Sequence, residues 1–517
     1  MADLAESRGR RRGREREMAG ARSSLPEQRP FAQPRLLHGP TELATADQVE
    51  ALHRSSLRIL SEIGMKVLDA ETRALFVGAG ATEHADMMVR FDPEMVGPII
   101  ATAPSRFTLH ATNPAHHLTI GGDHIAFGSV ASAPNSADLD GGRRTGNRHD
   151  FRNLLRLVQS LNSIHFTPGY PVEPVDIHGS VRHLEATLDL LTLTDKVIHV
   201  YSLGRQRNID AMEMVRIARG ITDAELDEQP SLVSIINTNS PLTLDVPMSH
   251  GIIEMSRRNQ VICVTPFTLA GAMAPITLAG ALSQQNAEAL VGLMLTQIVR
   301  PGSPFIYGGF TSNVDMQSGA PAFGTPEYWK TAIVGGQLAR RYGVPYRSSN
   351  TCAANAVDAQ AAYESMFSIW GAISGGSNFT MHGAGWMEGG LQASFEKMVL
   401  DADLLHMASA ALDPLVVDDD TLAFDAIADV GPGGHFFGTA HTQARYRTEF
   451  YRPLISDWRN YENWADAGKP EAAAKANQLV KAYLADYEPP PMDDTVREEL
   501  TEFVARRTAE GGVPVDY

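Results

Sequence analysis

The sequence predicts an α/β fold, a TIM (β/α)8 barrel carrying an N-terminal α+β extension and a C-terminal helical and loop extension. Three observations predict it. Eight short runs rich in β-branched or aromatic residues recur, each followed by a stretch with helical spacing. Their starts lie 29 to 44 residues apart, the spacing of parallel strands joined by helical crossovers. No GxGxxG follows any of them, so the alternative of a doubly wound open sheet has no dinucleotide fingerprint to support it.

Residues 1–30 carry eight Arg and five acidic residues and few apolar ones, and are expected to be a disordered basic tail, solvated rather than nucleic-acid binding. Residues 31–120 read as an N-terminal cap region. Within it Thr45 can cap an amphipathic helix over 45–63, with Val49, Leu52, Leu57, Leu60 and Ile63 on its apolar face. Residues 71–110 read as a short helix and then a β-rich segment.

The barrel is expected over 121–412. Its strands are expected at 124–130, 164–170, 197–203, 231–237, 260–267, 304–310, 345–351 and 378–384. Its helices are expected near 149–162, 180–194, 208–220, 247–258, 280–299, 326–342, 357–373 and 389–412. The stretch Gln260–Arg300 shows the unit most plainly: a β-branched run, a loop broken by Gly271 and Pro275, then a long apolar helix. Residues 413–517 begin with a Gly- and aromatic-rich region and end in polar helices packed on the barrel.

Composition bounds the function. The net charge is −17, and an acidic body argues against nucleic acid or an anionic membrane as partner. The two cysteines, Cys263 and Cys352, make neither a disulfide framework nor a zinc motif, and no metal is expected. No apolar run reaches the ~18 residues of a membrane span, and no apolar segment follows the N-terminal arginines, so a cytoplasmic protein is expected.

A barrel enzyme builds its site at the C-terminal ends of its strands. Those ends offer Tyr170, Tyr201, Phe267, Phe310 and Trp386 as aromatic walls, with Asn237, Asn239 and Arg347 as hydrogen-bond donors. Aromatic faces attract a cation that cannot itself donate hydrogen bonds, such as a quaternary ammonium. Asn350, His382 and Glu388 are the candidates for a direct catalytic part. From composition and spacing alone the mouth reads as aromatic and biased toward negative charge.

Three separated segments carry this further: TPFTLAGAMAPITLAGALSQQNAEALVGLMLTQIVRPGSPFIYG, VDAQAAYES at 357–365 and DVGPGGHFFGTAHTQARYRTEFYRP at 429–453. Together they make the chain resemble the trimethylamine methyltransferase family over about 31–515. The resemblance implies a TIM barrel and methyl transfer from an amine to the cobalt of a corrinoid (cobalamin) carried by a separate corrinoid protein. It implies no cofactor bound by this chain itself, a small quaternary-amine substrate and a homo-oligomer. Gly308, Gly309, Gly383 and Gly385 would let the macrocycle approach closely. The archaeal trimethylamine enzymes of the family carry pyrrolysine in the barrel mouth; the corresponding segment here, Thr351–Val357, reads TCAANAV. Members without pyrrolysine resemble betaine-type demethylases, whose substrate already carries a neutral leaving group. Two other readings stay open: a barrel lyase or hydrolase acting on a betaine or sulfonium compound with Glu388 or Glu173 as base and His382 near it, and a non-catalytic betaine-binding relative.

Overall fold

Eight parallel strands close into a barrel in chain order. The structure, a computed structural model, describes residues 25–201 and 203–515. The strands are β1 Ala126–Ser129, β2 Phe166–Thr167, β3 Val197–Val200, β4 Leu232–Ile236, β5 Val261–Val264, β6 Phe305–Gly308, β7 Tyr346–Ser349 and β8 Phe379–Ala384. Each is followed by its helix: α1 Arg148–Ser160, α2 Arg182–Leu193, α3 Arg205–Arg219, α4 Val246–Arg257, α5 Leu278–Val299, α6 Pro326–Tyr342, α7 Ala359–Ser374 and α8 Phe395–Ala411. Every neighbouring pair is parallel, and β8 returns to β1, which pairs with β2. This is a TIM barrel. All eight sequence-predicted strands and helices form, every strand shorter than its expected range because loop backbone takes over within the runs.

Local chemistry sets the helix starts. Asn147, Asp245, Thr325 and Ser394 each accept a backbone N–H in the first turn of the following helix. Pro326 occupies the first turn of α6, where its missing N–H costs nothing.

Strand alternation sorts side chains between two cores. Val197, Val233, Val261, Cys263, Ile306 and Phe379 point inward and form the barrel interior. Phe166 and Phe379 stack there with ring centroids 3.8 Å apart. The hairpin Arg106–Leu109/Leu118–Gly121 contributes Leu109, Leu118 and Ile120 to the same cluster and so plugs one end. Ile198, Leu232, Ile262 and Phe305 point outward to the helices.

The N-terminal region covers α5. Helix Ala46–Arg58 starts with a capping box between Thr45 and Gln48. Its Ser56 hydroxyl donates to the Ser283 carbonyl of α5, and Asn286 of α5 donates to Ser56 and to the Tyr342 hydroxyl. A helix apolar on all sides must be buried on all sides, and α5 is buried from Ala281 to Gln297. Residues 25–30, assigned to the disordered tail from sequence, are instead docked. Leu25 packs on the core, Gln28 donates to the Ser160 carbonyl, and Arg29 pairs with Asp413 at 2.7 Å. The rest of that expected tail, residues 1–24, lies outside the described residues.

Beyond the barrel, helices Ala472–Asp486 and Asp494–Ala509 pack back on it. Asn477 donates to Glu396 of α8, and Arg507 pairs with Asp210 of α3 at 2.9 Å. Among the described residues no helix is long and apolar enough to cross a membrane.

Candidate active site

A cavity of about 370 Å³ opens at the C-terminal ends of the strands, within the ~300–1,000 Å³ range of small-molecule sites. Its depth follows from strand register. His199 on β3, Thr265 just past β5, Arg347 on β7 and Met381 on β8 are all buried and form its floor. Tyr201 stands two residues beyond His199, and Phe267 two beyond Thr265, so both lie nearer the rim. Ser132 and Asn237 are exposed at that rim.

Seven of the sequence-predicted residues meet here: Tyr201, Asn237, Phe267, Phe310, Arg347, His382 and Trp386. Phe267 and Phe310 stack at 5.1 Å between centroids. His382 stacks on Trp386 at 5.2 Å. A Cβ on Gly390 would meet the Trp386 indole at 2.8 Å, so the space beside that ring is filled and Trp386 serves as a wall.

Arg347 dominates the electrostatics. Among the described residues it is the only one lining the cavity with a formal charge, and no described carboxylate lines it. The expectation of a negatively biased mouth is therefore wrong: the floor is positive. The guanidinium lies 5.0 Å from the Phe310 centroid. Its Nη1 donates to the Gly309 carbonyl at 3.1 Å and its Nε to Met381 Sδ at 3.0 Å. Among the described residues no carboxylate pairs with it, and its Nη2 has no protein acceptor. Burial pulls its pKa down from the ordinary value. A buried, unpaired guanidinium is costly and calls for an anion.

His199 is a residue that sequence reasoning missed. Its Nε2 accepts the Ile235 backbone N–H at 3.0 Å, which fixes the proton on Nδ1. That Nδ1 is buried without a partner. Burial pushes the ring's pKa down to about 3, so it stays a neutral donor. The signal was present in the alternation of Val197, His199 and Tyr201, which puts all three on one face.

Tyr201 links the cavity to a carboxylate. Its hydroxyl donates to Glu173 at 2.8 Å, leaving the oxygen to accept from Ser132 at 2.7 Å. Burial raises the Glu173 pKa. His382 has φ +57 inside β8, where the pairing with β1 shifts register between Thr380 and Ala384. A non-glycine residue in this region stores strain, and a bulge re-aims side chains; here it turns the imidazole into the cavity. Burial first, and Arg347 second, hold its pKa well below normal.

The remaining candidates lie elsewhere. Asn350 is fully buried outside the cavity lining; its Nδ2 donates to the Gly383 carbonyl and its Oδ1 has no partner among the described residues. Glu388 pairs with Arg143 at 2.9 Å outside the cavity. Tyr170 sits behind Tyr201, edge-on at 4.4 Å. Asn239 is exposed on the loop after β4, its N–H bound to Thr243 O.

The four glycines do not open the mouth. A Cβ on Gly308 would collide with Thr265 Oγ1 at 2.1 Å, and one on Gly383 with the Gly128 carbonyl at 2.8 Å. On Gly309 it would meet Gln285 and Tyr346 at 3.2 Å, and on Gly385, whose φ is +96, Met398 and Val130 at 3.2 Å. All four serve close packing in the barrel wall.

The family described as trimethylamine methyltransferase (MTTB) matches over residues 8–512. A glycine betaine methyltransferase of Desulfitobacterium hafniense (strain Y51) is 36% identical over 471 residues, covering 91% of this chain and 98% of the relative. The trimethylamine methyltransferase MttB of Desulfitobacterium hafniense (strain DSM 10664 / DCB-2) is 28% identical over 474 residues, covering 90% and 94%. The solved Methanosarcina barkeri monomethylamine methyltransferase (MtmB) superposes with a TM-score of 0.46 at 10% identity, covering 90% of this chain and 93% of that one.

Proposed function

The chain belongs to the trimethylamine methyltransferase family, and from that premise we propose that it moves a methyl group from a carboxylated quaternary amine of the glycine betaine type to a corrinoid held by a separate protein. The observation that carries the substrate class is Arg347. A buried cation with no anionic partner repels a bare ammonium such as choline or protonated trimethylamine. A zwitterion resolves this, because its carboxylate neutralises the guanidinium before its ammonium enters.

Depth then orients the substrate. The carboxylate goes to the floor, against Arg347 Nη2 and the His199 Nδ1–H. The ammonium lies toward the rim between Tyr201 and Phe267. The Glu173 hydrogen bond draws the Tyr201 proton outward and enriches the ring, which strengthens cation–π attraction. The methyl groups consequently face the opening.

The corrinoid supplies, when bound at the rim, the Co(I) nucleophile that accepts the methyl group. A cavity of this size takes a betaine whole and excludes a macrocycle, so the two meet at the opening. When the C–N bond breaks, its electron pair stays on nitrogen and the tertiary amine leaves neutral. No proton is needed, which suits a cavity whose two histidines are held neutral by burial. The chain's residues contribute proximity, orientation and shielding from water.

Calorimetry on a ligand series tests the class. Glycine betaine should bind at least tenfold more tightly than choline, which lacks the carboxylate, and than tert-butylacetate, which lacks the cation. Equal binding of choline would remove the role given to Arg347, and equal binding of tert-butylacetate would remove the aromatic recognition of the ammonium.

A further inference from the structure

The segment 414–450 has no core of its own. It contains three short helices, Asp419–Leu422, Phe424–Val430 and Ala440–Arg445, yet Ala426 is its only buried residue. Ten of its large apolar side chains are exposed, with Leu415 89% and Phe437 81% accessible. At ~150–250 Å² per aromatic side chain, they leave roughly 1,000 Å² of apolar surface uncovered. That exceeds the ~300–600 Å² of the largest patch on an ordinary monomer. It matches the ~800 Å² per partner that a stable dimer buries.

Both ends of the segment are fixed to the barrel. At one end Asp413 pairs with Arg29. At the other the Tyr451 hydroxyl donates to Asp403 at 2.6 Å, and the same carboxylate accepts the Leu454 and Ile455 N–H groups. Between these anchors the chain projects as an arm.

A second uncovered apolar surface lies next to it. A groove of about 1,290 Å³ runs between α7 and α8, lined by Tyr363, Phe367, Trp370 and Met407 among others and by no charged residue. Tyr363 and Trp370 are exposed there, so the chain's own arm does not fill the groove. Residues 430–444 of the arm likewise contain no Asp, Glu, Lys or Arg. Two uncharged apolar faces on one chain, one projecting and one concave, complement each other.

We infer that the occupant is a second copy of this chain: the 414–450 arm of each protomer lies in the α7–α8 groove of the other. A twofold axis satisfies both arms and both grooves at once and closes the assembly. A protein docking on the barrel mouth is a poorer occupant of the arm's apolar face: helix α8 runs back from the mouth, and the arm leaves it at Asp413, the end of α8 farther from the cavity.

The test uses the full chain and light scattering after gel filtration at micromolar concentration. Wild type should be a dimer or a multiple of one. F437D on the arm and W370E in the groove should each give monomers whose circular dichroism and melting temperature match the wild-type fold. A benzoylphenylalanine at position 437, mixed as heavy and light isotopic forms and irradiated, should crosslink heavy to light chains at α7 or α8. A monomeric wild type would overturn the inference, as would an oligomer untouched by F437D. Dissociation by F437D but not by W370E would place the arm on another face and overturn the groove assignment. Crosslinks confined to one isotopic form, or assembly only with an added corrinoid protein, would likewise overturn it.

Discussion

Replacing Arg347 by Met isolates the charge on the cavity floor. Methionine keeps an unbranched stem as far as the Nε position and removes the guanidinium. A hydrogen bond to a charged group contributes ~1.5–3 kcal/mol, so losing the carboxylate contact, taken at about 3 kcal/mol, weakens glycine betaine binding by roughly 150-fold at ~1.4 kcal/mol per decade. Stability should move the other way. The guanidinium is buried without a carboxylate partner, and burial disfavours its charged form, so the unliganded variant should melt at or above the wild-type temperature. Choline should bind R347M better than wild type, because a like charge has gone. R347K, which keeps the charge but not the planar fork, should fall between the two. Calorimetry reads the affinities and a thermal melt reads the stability. Betaine affinity within threefold of wild type, or parallel losses for betaine and choline, would refute the assignment.

Tyr201→Ala should weaken betaine binding about thirtyfold, a cation–π contact in a desolvated site being worth ~2 kcal/mol, with no comparable loss for tert-butylacetate by calorimetry. Trp386→Ala should weaken both ligands alike, since the indole acts as a wall between His382 and Gly390. Betaine affinity should show no titration from His199, held at about 3, and should fall as acid protonates Glu173, whose pKa burial raises and whose carboxylate polarises Tyr201; an affinity that rises on acidification would contradict this. Stability depends on pH through His199: with its folded-state pKa depressed to about 3, the unfolded chain binds more protons below its ordinary ~6.5, so the ring's contribution is full above that pH and is lost toward about 3. Gly309→Val should lower the melting temperature, because its side chain enters the space of Gln285 and Tyr346, while the folded fraction binds betaine normally; normal stability with lost function would restore its assignment to corrinoid approach.

The barrel was legible because each βα unit repeats a strong local pattern, and eight repeats leave one closed arrangement. The aromatic part of the mouth was legible too, since Tyr201, Phe267 and Phe310 end strands whose inward face alternation predicts. What sequence could not supply was the direction of each residue past a strand end. Asn350 and Glu388 sit at the right place in the chain, but one bonds the Gly383 backbone and the other swings out to Arg143. The bulge that turns His382 inward has no sequence signature of its own. Glycines at strand ends read equally as openings or as tight packing, and only the would-be Cβ contacts decide for packing. The floor's positive charge was misread because overall acidity says nothing about one buried arginine. His199 was overlooked because an alternating apolar strand reads as core.

Methyl transfer itself is the most direct test of the account. Glycine betaine carrying carbon-13 methyl groups should be mixed with this chain and with free cobalamin or a corrinoid protein reduced to Co(I). The account predicts consumption of the Co(I) absorbance, label on the corrinoid and one dimethylglycine per methyl transferred, with a kcat/KM at least tenfold above that for trimethylamine. Faster transfer from trimethylamine, or dimethylglycine formed at the same rate with no corrinoid present, would contradict it.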